Sequence, residues 1–381
     1  MNTSAASRRW LPRVWLIQSY RAGENAQLLA LAEALGGPFE VKRLVYRPWG
    51  FLVDLPRLVS LAGIDRSRSS PLQPPWPDLI IAAGLRNEPV ARWIRHQAGG
   101  RVKLAHIGRP WANPAQFDLV ITTPQYRLPV RPNVLHNQLT LQRVTASRLA
   151  EAAALWAPRL AALPRPYIAV LVGGNSGPYT FDRAAAQRLG RAANALAAEW
   201  GGSLLVSSSA RTPGASFEAL AVTLQGPIYV YRWTAAGSEN PYYGLLALAD
   251  ALIVTSDSIA MLTEACATRK PVYIFDMGAG PGDRPWTLAH WAAFGYRQLL
   301  RFGPEKLGRD VGLVHQSLIA AGRAVWLGQP FPPGPPPPPL ADVQRAVERV
   351  RALFACEAVT GTAGTADRAE DTMTPTPSAE E

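Results

Sequence analysis

Two stretches of the chain combine the residue types that grip a phosphorylated ligand. In Gly173-Gly-Asn-Ser-Gly-Pro178 the glycines keep bulk away, leaving backbone N–H groups, Asn175 and the Ser176 hydroxyl open to an anion. In Val254-Thr-Ser-Asp-Ser258 the hydroxyls of Ser256 and Ser258 open a helical pattern that carries Glu264 two turns later. An anion at such a helix start gains roughly 0.3–1 kcal/mol. Each stretch also reads plainly, as an ordinary strand-to-helix turn and an ordinary helix cap. Arg211, after Ser207-Ser-Ser209, suits the charge of a leaving diphosphate and equally suits a solvated loop. For proton transfer the candidates are Glu24, in a first turn after a strand, and His106, at the end of one. Glu24 is also an ordinary first-turn helix residue, and a histidine on an apolar strand is more often a satisfied core residue.

Several common chemistries lack their residues. The first strand is followed by Gly23 alone, with no G-x-G-x-x-G, and none of the four lysines has a tyrosine four positions before it. No Walker loop, G-x-S-x-G elbow, H-E-x-x-H or C-x-x-C occurs. The absence of Asp-x-Asp argues against a donor diphosphate held through a divalent metal. The five histidines have no ligand spacing, and Cys266 and Cys356 make neither a disulfide framework nor a zinc site.

The elements that must position these residues alternate. Buried-strand patterns at 13–18, 41–46, 78–84, 102–108 and 117–123 are separated by helical ones at 24–35 and through about Gln97. After Leu163-Pro-Arg-Pro166 the pattern restarts. Strands are expected at 167–174, 203–208, 228–231, 251–255 and 271–275, with a long Ala-rich helix over 182–200. Such alternation specifies an α/β chain with two doubly wound, Rossmann-like halves, over 1–160 and 161–330. A polyproline segment follows at 331–340, better suited to a rigid spacer than to an SH3-like ligand. Then come a terminal helix over 341–356 and an acidic tail, 357–381, whose composition predicts disorder.

Charge is unevenly spread. The chain of 381 residues carries 39 Lys+Arg and 28 Asp+Glu, a net +11, yet residues 1–160 alone hold 21 basic and 9 acidic side chains. In Tyr46–Gly63, Arg47 and Arg57 interleave with Trp49 and Phe51, a composition suited to an anionic membrane surface or to a core helix with a basic outer face. No nucleic-acid-binding motif accompanies the charge, so no nucleic acid is expected. The apolar run behind Arg8, Arg9 and Arg13 is too brief for a signal-peptide core, and apolar runs are strand-sized throughout. A cytoplasmic protein is expected.

The stretch 254–265 resembles the bacterial branch of the mitochondrial-fission family named for "elongated mitochondria". Gly23-Glu-Asn-Ala-Gln27, Phe117-Asp-Leu-Val-Ile121 and Asn133-Val-Leu135 with Arg143 fit it too. The resemblance implies a GT-B glycosyltransferase-like fold, two Rossmann-like domains facing across a cleft, an acceptor domain first and a nucleotide-sugar donor domain second. It places Gly173, Gly174, Asn175, Ser176, Ser256 and Ser258 against the donor's phosphates and Glu264 on its ribose. The nucleotide sugar is then a co-substrate, with no cofactor and no metal. The acceptor is expected to be lipid-linked, which would put the protein on the inner face of the membrane. Plant members of the family recruit a dynamin-related protein, so the alternative is a non-catalytic membrane-surface adaptor.

Overall fold

The computed structural model describes residues 12–48, 59–235, 239–278 and 286–360. The first half contains β1 (Val14–Ile17), α1 (Ala22–Leu35), β2 (Phe39–Lys42), β3 (Leu79–Ala83), α2 (Glu88–Gln97), β4 (Lys103–Ile107), β5 (Leu119–Thr122) and β6 (Val134–His136). Helix α3 (Ala146–Leu160) leads to β7 (Tyr167–Leu171), α4 (Arg183–Trp200), β8 (Ser203–Ser207), α5 (Gly214–Thr223), β9 (Ile228–Tyr231) and α6 (Tyr242–Leu248). The chain continues through β10 (Ala251–Thr255), α7 (Ile259–Ala267), β11 (Val272–Phe275), α8 (Leu288–Phe302), α9 (Val311–Ala320), β12 (Val325–Trp326) and α10 (Asp342–Thr360).

These strands form two six-stranded parallel sheets, ordered β2-β1-β3-β4-β5-β6 and β12-β11-β10-β7-β8-β9. Strands β1, β3, β5, β7, β8 and β10 are buried along their whole lengths, as a parallel sheet covered by helices on both faces requires. The apolar run at 41–46 departs from the sheet after Lys42. Leu44 packs beside Ile64, and Tyr46 makes an isolated bridge with Ile64, so the strand shifts to 39–42. Strands β6 and β12, three and two residues long, escape sequence patterning because neither is long enough to show a period.

The C-terminal helix returns to the first sheet. Ala346, Val347 and Val350 of α10 are buried in one core with Val14, Leu16 and the α1 residues Leu28, Leu31 and Leu35. Asp342 anchors its start by accepting the Gln138 N–H at 2.8 Å. The segment 331–340 therefore spans from the second sheet back to the first, and the helix extends to Thr360, four residues past the expected limit. The tail from 361 lies outside the described residues. Among the described residues, no helix is long and apolar enough to cross a membrane.

Candidate functional site

In an open parallel sheet, ligands bind beyond the carboxyl ends of the strands where the strand order reverses. Here the reversals fall between β1 and β3 and between β7 and β10. The carboxyl edges of the two sheets face each other. A Cβ built on Gly23, at the start of α1, would stand 4.0 Å from that of Ala260, at the start of α7. Further links cross the same cleft. Asp310 N–H donates to the Gln125 carbonyl at 2.9 Å, Arg127 pairs with Asp310 at 2.7 Å, and Arg109 donates to the carbonyls of Glu305 and Gly308. Arg309 donates to the Ser176 hydroxyl at 2.8 Å and also hydrogen-bonds Tyr126 from the first domain.

The second-domain reversal is organised by Asp257. Its carboxylate accepts the Gly174 N–H at 3.0 Å and the Thr255 hydroxyl at 2.7 Å, and pairs with Arg211 at 2.8 Å. Gly173 N–H in turn donates to the Thr255 hydroxyl oxygen at 2.8 Å. Asp257 is fully enclosed, and burial pushes its carboxyl up against the opposing pull of Arg211. Both glycine N–H groups are thus spent inside the protein, which corrects the expectation that Gly173 and Gly174 present them to a phosphate. The glycines serve close packing instead. A Cβ at 173 would lie 2.3 Å from Asp257 Oδ1, and one at 174 would lie 2.0 Å from the Arg211 carbonyl oxygen. Because the obstacle at 174 is backbone, Gly174→Ala is expected to cost about 1–3 kcal/mol, read as a lowered urea midpoint.

The remaining second-domain candidates divide. Asn175 is exposed, but its Oδ1 accepts the Phe181 N–H at 2.8 Å. Ser176 lies at the cleft under Arg309. Ser256 is completely buried, and its hydroxyl accepts the Met277 N–H at 3.2 Å. It faces the end of β11, so its expected place on the phosphates is corrected. Ser258, 6% exposed, is nearly buried at the start of α7 and does not cap it. Arg211 is not a free loop residue: half its side chain is exposed while its guanidinium holds Asp257. Glu264 accepts the Tyr242 hydroxyl at 2.6 Å, and burial pushes its carboxyl up, with Arg143 opposing.

In the first domain, Glu24 reaches the cleft. It accepts the Ser19 hydroxyl and pairs with Arg21 at 3.5 Å. Gly84, at φ +81°, makes room for it, since a Cβ there would lie 2.7 Å from Glu24 Oε2. His106 does not reach the cleft. It is fully buried against Phe117, with Glu88 3.9 Å from Nε2, and burial lowers its pKa to about 4. No acceptor hydroxyl can approach it, so His106 is a core residue and not the base the sequence suggests. Arg47 is tied by its backbone to Gly63 and Arg86. Trp49, Phe51 and Arg57 lie outside the described residues. Arg109, Arg127 and Arg309 carried no sequence signal, because their partners stand 133 to 199 positions away in the chain.

Two Rossmann-like domains meeting across a cleft at their strand carboxyl ends define the GT-B architecture. The profile of the mitochondrial fission ELM1 family matches residues 22–354, and the chain belongs to that family. Mitochondrial fission protein ELM1 of Arabidopsis thaliana is 29% identical over 262 residues, covering 62% of this chain but only 58% of the plant protein. The uncharacterized protein RP120 of Rickettsia prowazekii is 25% identical over 300 residues, covering 69% of this chain and 82% of that one. Among solved structures, the UDP-GlcNAc 2-epimerase of Neisseria meningitidis aligns with TM-score 0.42 and 11% identity over 81% of this chain and 98% of its own. The heptosyltransferase II of E. coli aligns with TM-score 0.42 and 14% identity over 91% and 99%. At such scores the architecture rests on strand order and facing edges, not on these alignments.

Proposed function

We propose that this chain is a GT-B-type, glycosyltransferase-like protein that binds a nucleoside-diphosphate sugar in the cleft, without a metal. One observation carries the reading: the uncapped starts of α1 and α7 meet there, ringed by arginines. Arg21, Arg211 and Arg309 against Glu24 and Asp257 leave one positive charge. Two helix ends add about half a positive charge each, which favours an anion such as a diphosphate. In this reading Ser176 meets that anion, the nearly buried Ser258 lies behind it at the start of α7, and Glu24 takes the acceptor proton. The acceptor is proposed to be membrane-associated.

A second reading, the membrane-surface adaptor, is favoured by the state of Glu24, whose two oxygens are engaged by Ser19 and Arg21. Uridine, guanosine and cytidine diphosphates should each be tried in a thermal-shift series. The expected result is a rise of a few degrees with at least one, since ligand at a hundredfold excess over Kd stabilises by about 2.7 kcal/mol. Arg21→Ala is expected to weaken that binding about tenfold. No shift with any of the three would sink both the donor site and the glycosyltransferase. Binding without turnover, unchanged in Glu24→Gln, would favour the adaptor.

A further inference from the structure

Helix α8 borders the cleft with one side and bares an apolar stripe on the other. Inward, a Cβ on Gly177 would touch the Tyr296 ring at 3.3 Å, and Arg297 donates to the Pro178 carbonyl at 2.8 Å, so the helix braces the turn that carries Ser176. Outward, Leu288 is 89% exposed, Trp291 58% and Phe302 75%. Their spacing of three and eleven residues, with Gly295 and Gln298 between, puts them on one line along the helix. Phe294 flanks that line, and Trp286 stacks edge-on to Trp291 at 5.0 Å, so Trp286, Trp291 and Phe294 form one aromatic cluster, with Phe302 about three turns further along the helix. A face this apolar is not the ordinary scatter of single exposed hydrophobic residues.

We infer that the α8 face docks on an anionic lipid bilayer. Tryptophan, phenylalanine and leucine beside arginine is the composition that settles at the headgroup level. Charge decides between lipid and a second copy of the chain. Arg301, whose guanidinium lies 5.0 Å from the Phe302 ring, is the charge beside the stripe; α8 has no carboxylate, and Glu305 after it turns to Arg127. In a two-fold dimer the stripe would meet itself and bring the Arg301 side chains of the two copies to one like-charged seam, whereas anionic headgroups complement Arg301. Docked this way, the mouth of the cleft beside Ser176 lies near the bilayer. The inference stands apart from the nucleotide reading, because neither Leu288, Trp291 nor Phe302 is among the groups assigned to the diphosphate.

Co-sedimentation of the full chain with phosphatidylglycerol-containing vesicles and with pure phosphatidylcholine vesicles tests it. Binding is expected to the anionic vesicles, weakened by salt. It should fall at least tenfold in Leu288→Ser/Trp291→Ser/Phe302→Ser and severalfold in Arg301→Glu alone. All four side chains are on the surface, so the variants should keep the wild-type melting temperature and any nucleotide-induced shift. Three outcomes overturn the inference: no vesicle binding by the wild type, equal binding by the triple variant, or a wild-type dimer in sedimentation velocity that the triple variant dissolves.

Discussion

Asp257→Ala is expected to lower the stability of the protein by about 3–5 kcal/mol, measured by urea denaturation of the purified chain. The carboxylate has no exposure, and three groups converge on it: the Gly174 N–H, the Thr255 hydroxyl and the Arg211 guanidinium. Removing it leaves the Gly174 N–H and the Thr255 hydroxyl without that partner in a space closed to water, releases the partly exposed Arg211, and opens a cavity at the junction of β7 and β10. Asp257→Asn separates the contributions. The amide oxygen can still accept one N–H while the charge is lost, so the expected loss is intermediate. Equal losses for Ala and Asn would assign the effect to charge alone, and a loss under about 1 kcal/mol for Ala would mean that the cluster is not what joins the two strands.

That cluster marks the limit of what the linear sequence discloses. The glycines of 173–174 and the Ser-Asp-Ser of 256–258 are visible as motifs, and apolar patterning locates the strands that carry them within a few residues. Strand β10 at 251–255 and helix α4 at 183–200 follow directly from unbroken apolar or alanine-rich patterning. What the pattern could not disclose is that the two motifs satisfy each other. Gly174 and Asp257 are 83 positions apart, and a glycine turn built for packing has the same letters as one built for phosphate. Ser256 and Ser258 differ for a similar reason. They flank one residue in sequence, yet one turns under β11 and the other sits at the start of α7, a consequence of where the strand stops. The position of Glu24 is legible because its place after β1 depends only on local order. His106 misled because a buried strand and a cleft-facing strand end share the same apolar spelling.

A titration experiment on Glu88 and His106 carries the other large effect. Glu88 begins α2 and accepts the N–H groups of Trp111 and Ala112 at 2.8 and 3.0 Å, which fixes the loop from which Arg109 reaches the second domain. Burial raises its pKa from 4.5 to about 7 and lowers that of His106 from 6.5 to about 4. The signs are opposed. Folded Glu88 holds a proton that the unfolded chain releases between about pH 4.5 and 7, so its contribution is full below 4.5 and lost as pH rises through 7. Folded His106 lacks a proton that the unfolded chain takes up between about 4 and 6.5, so its contribution is full above 6.5 and lost as pH falls through 4. In wild type the two slopes largely cancel over the shared window, and each substitution should expose the partner. The cost of Glu88→Gln is expected to shrink by on the order of 3 kcal/mol from pH 4.5 to 7, and the cost of His106→Leu to grow by a similar amount from pH 4 to 6.5. Urea midpoints at a series of pH values read both. Costs that stay flat with pH in both variants would mean that neither group titrates differently in the folded and unfolded chain.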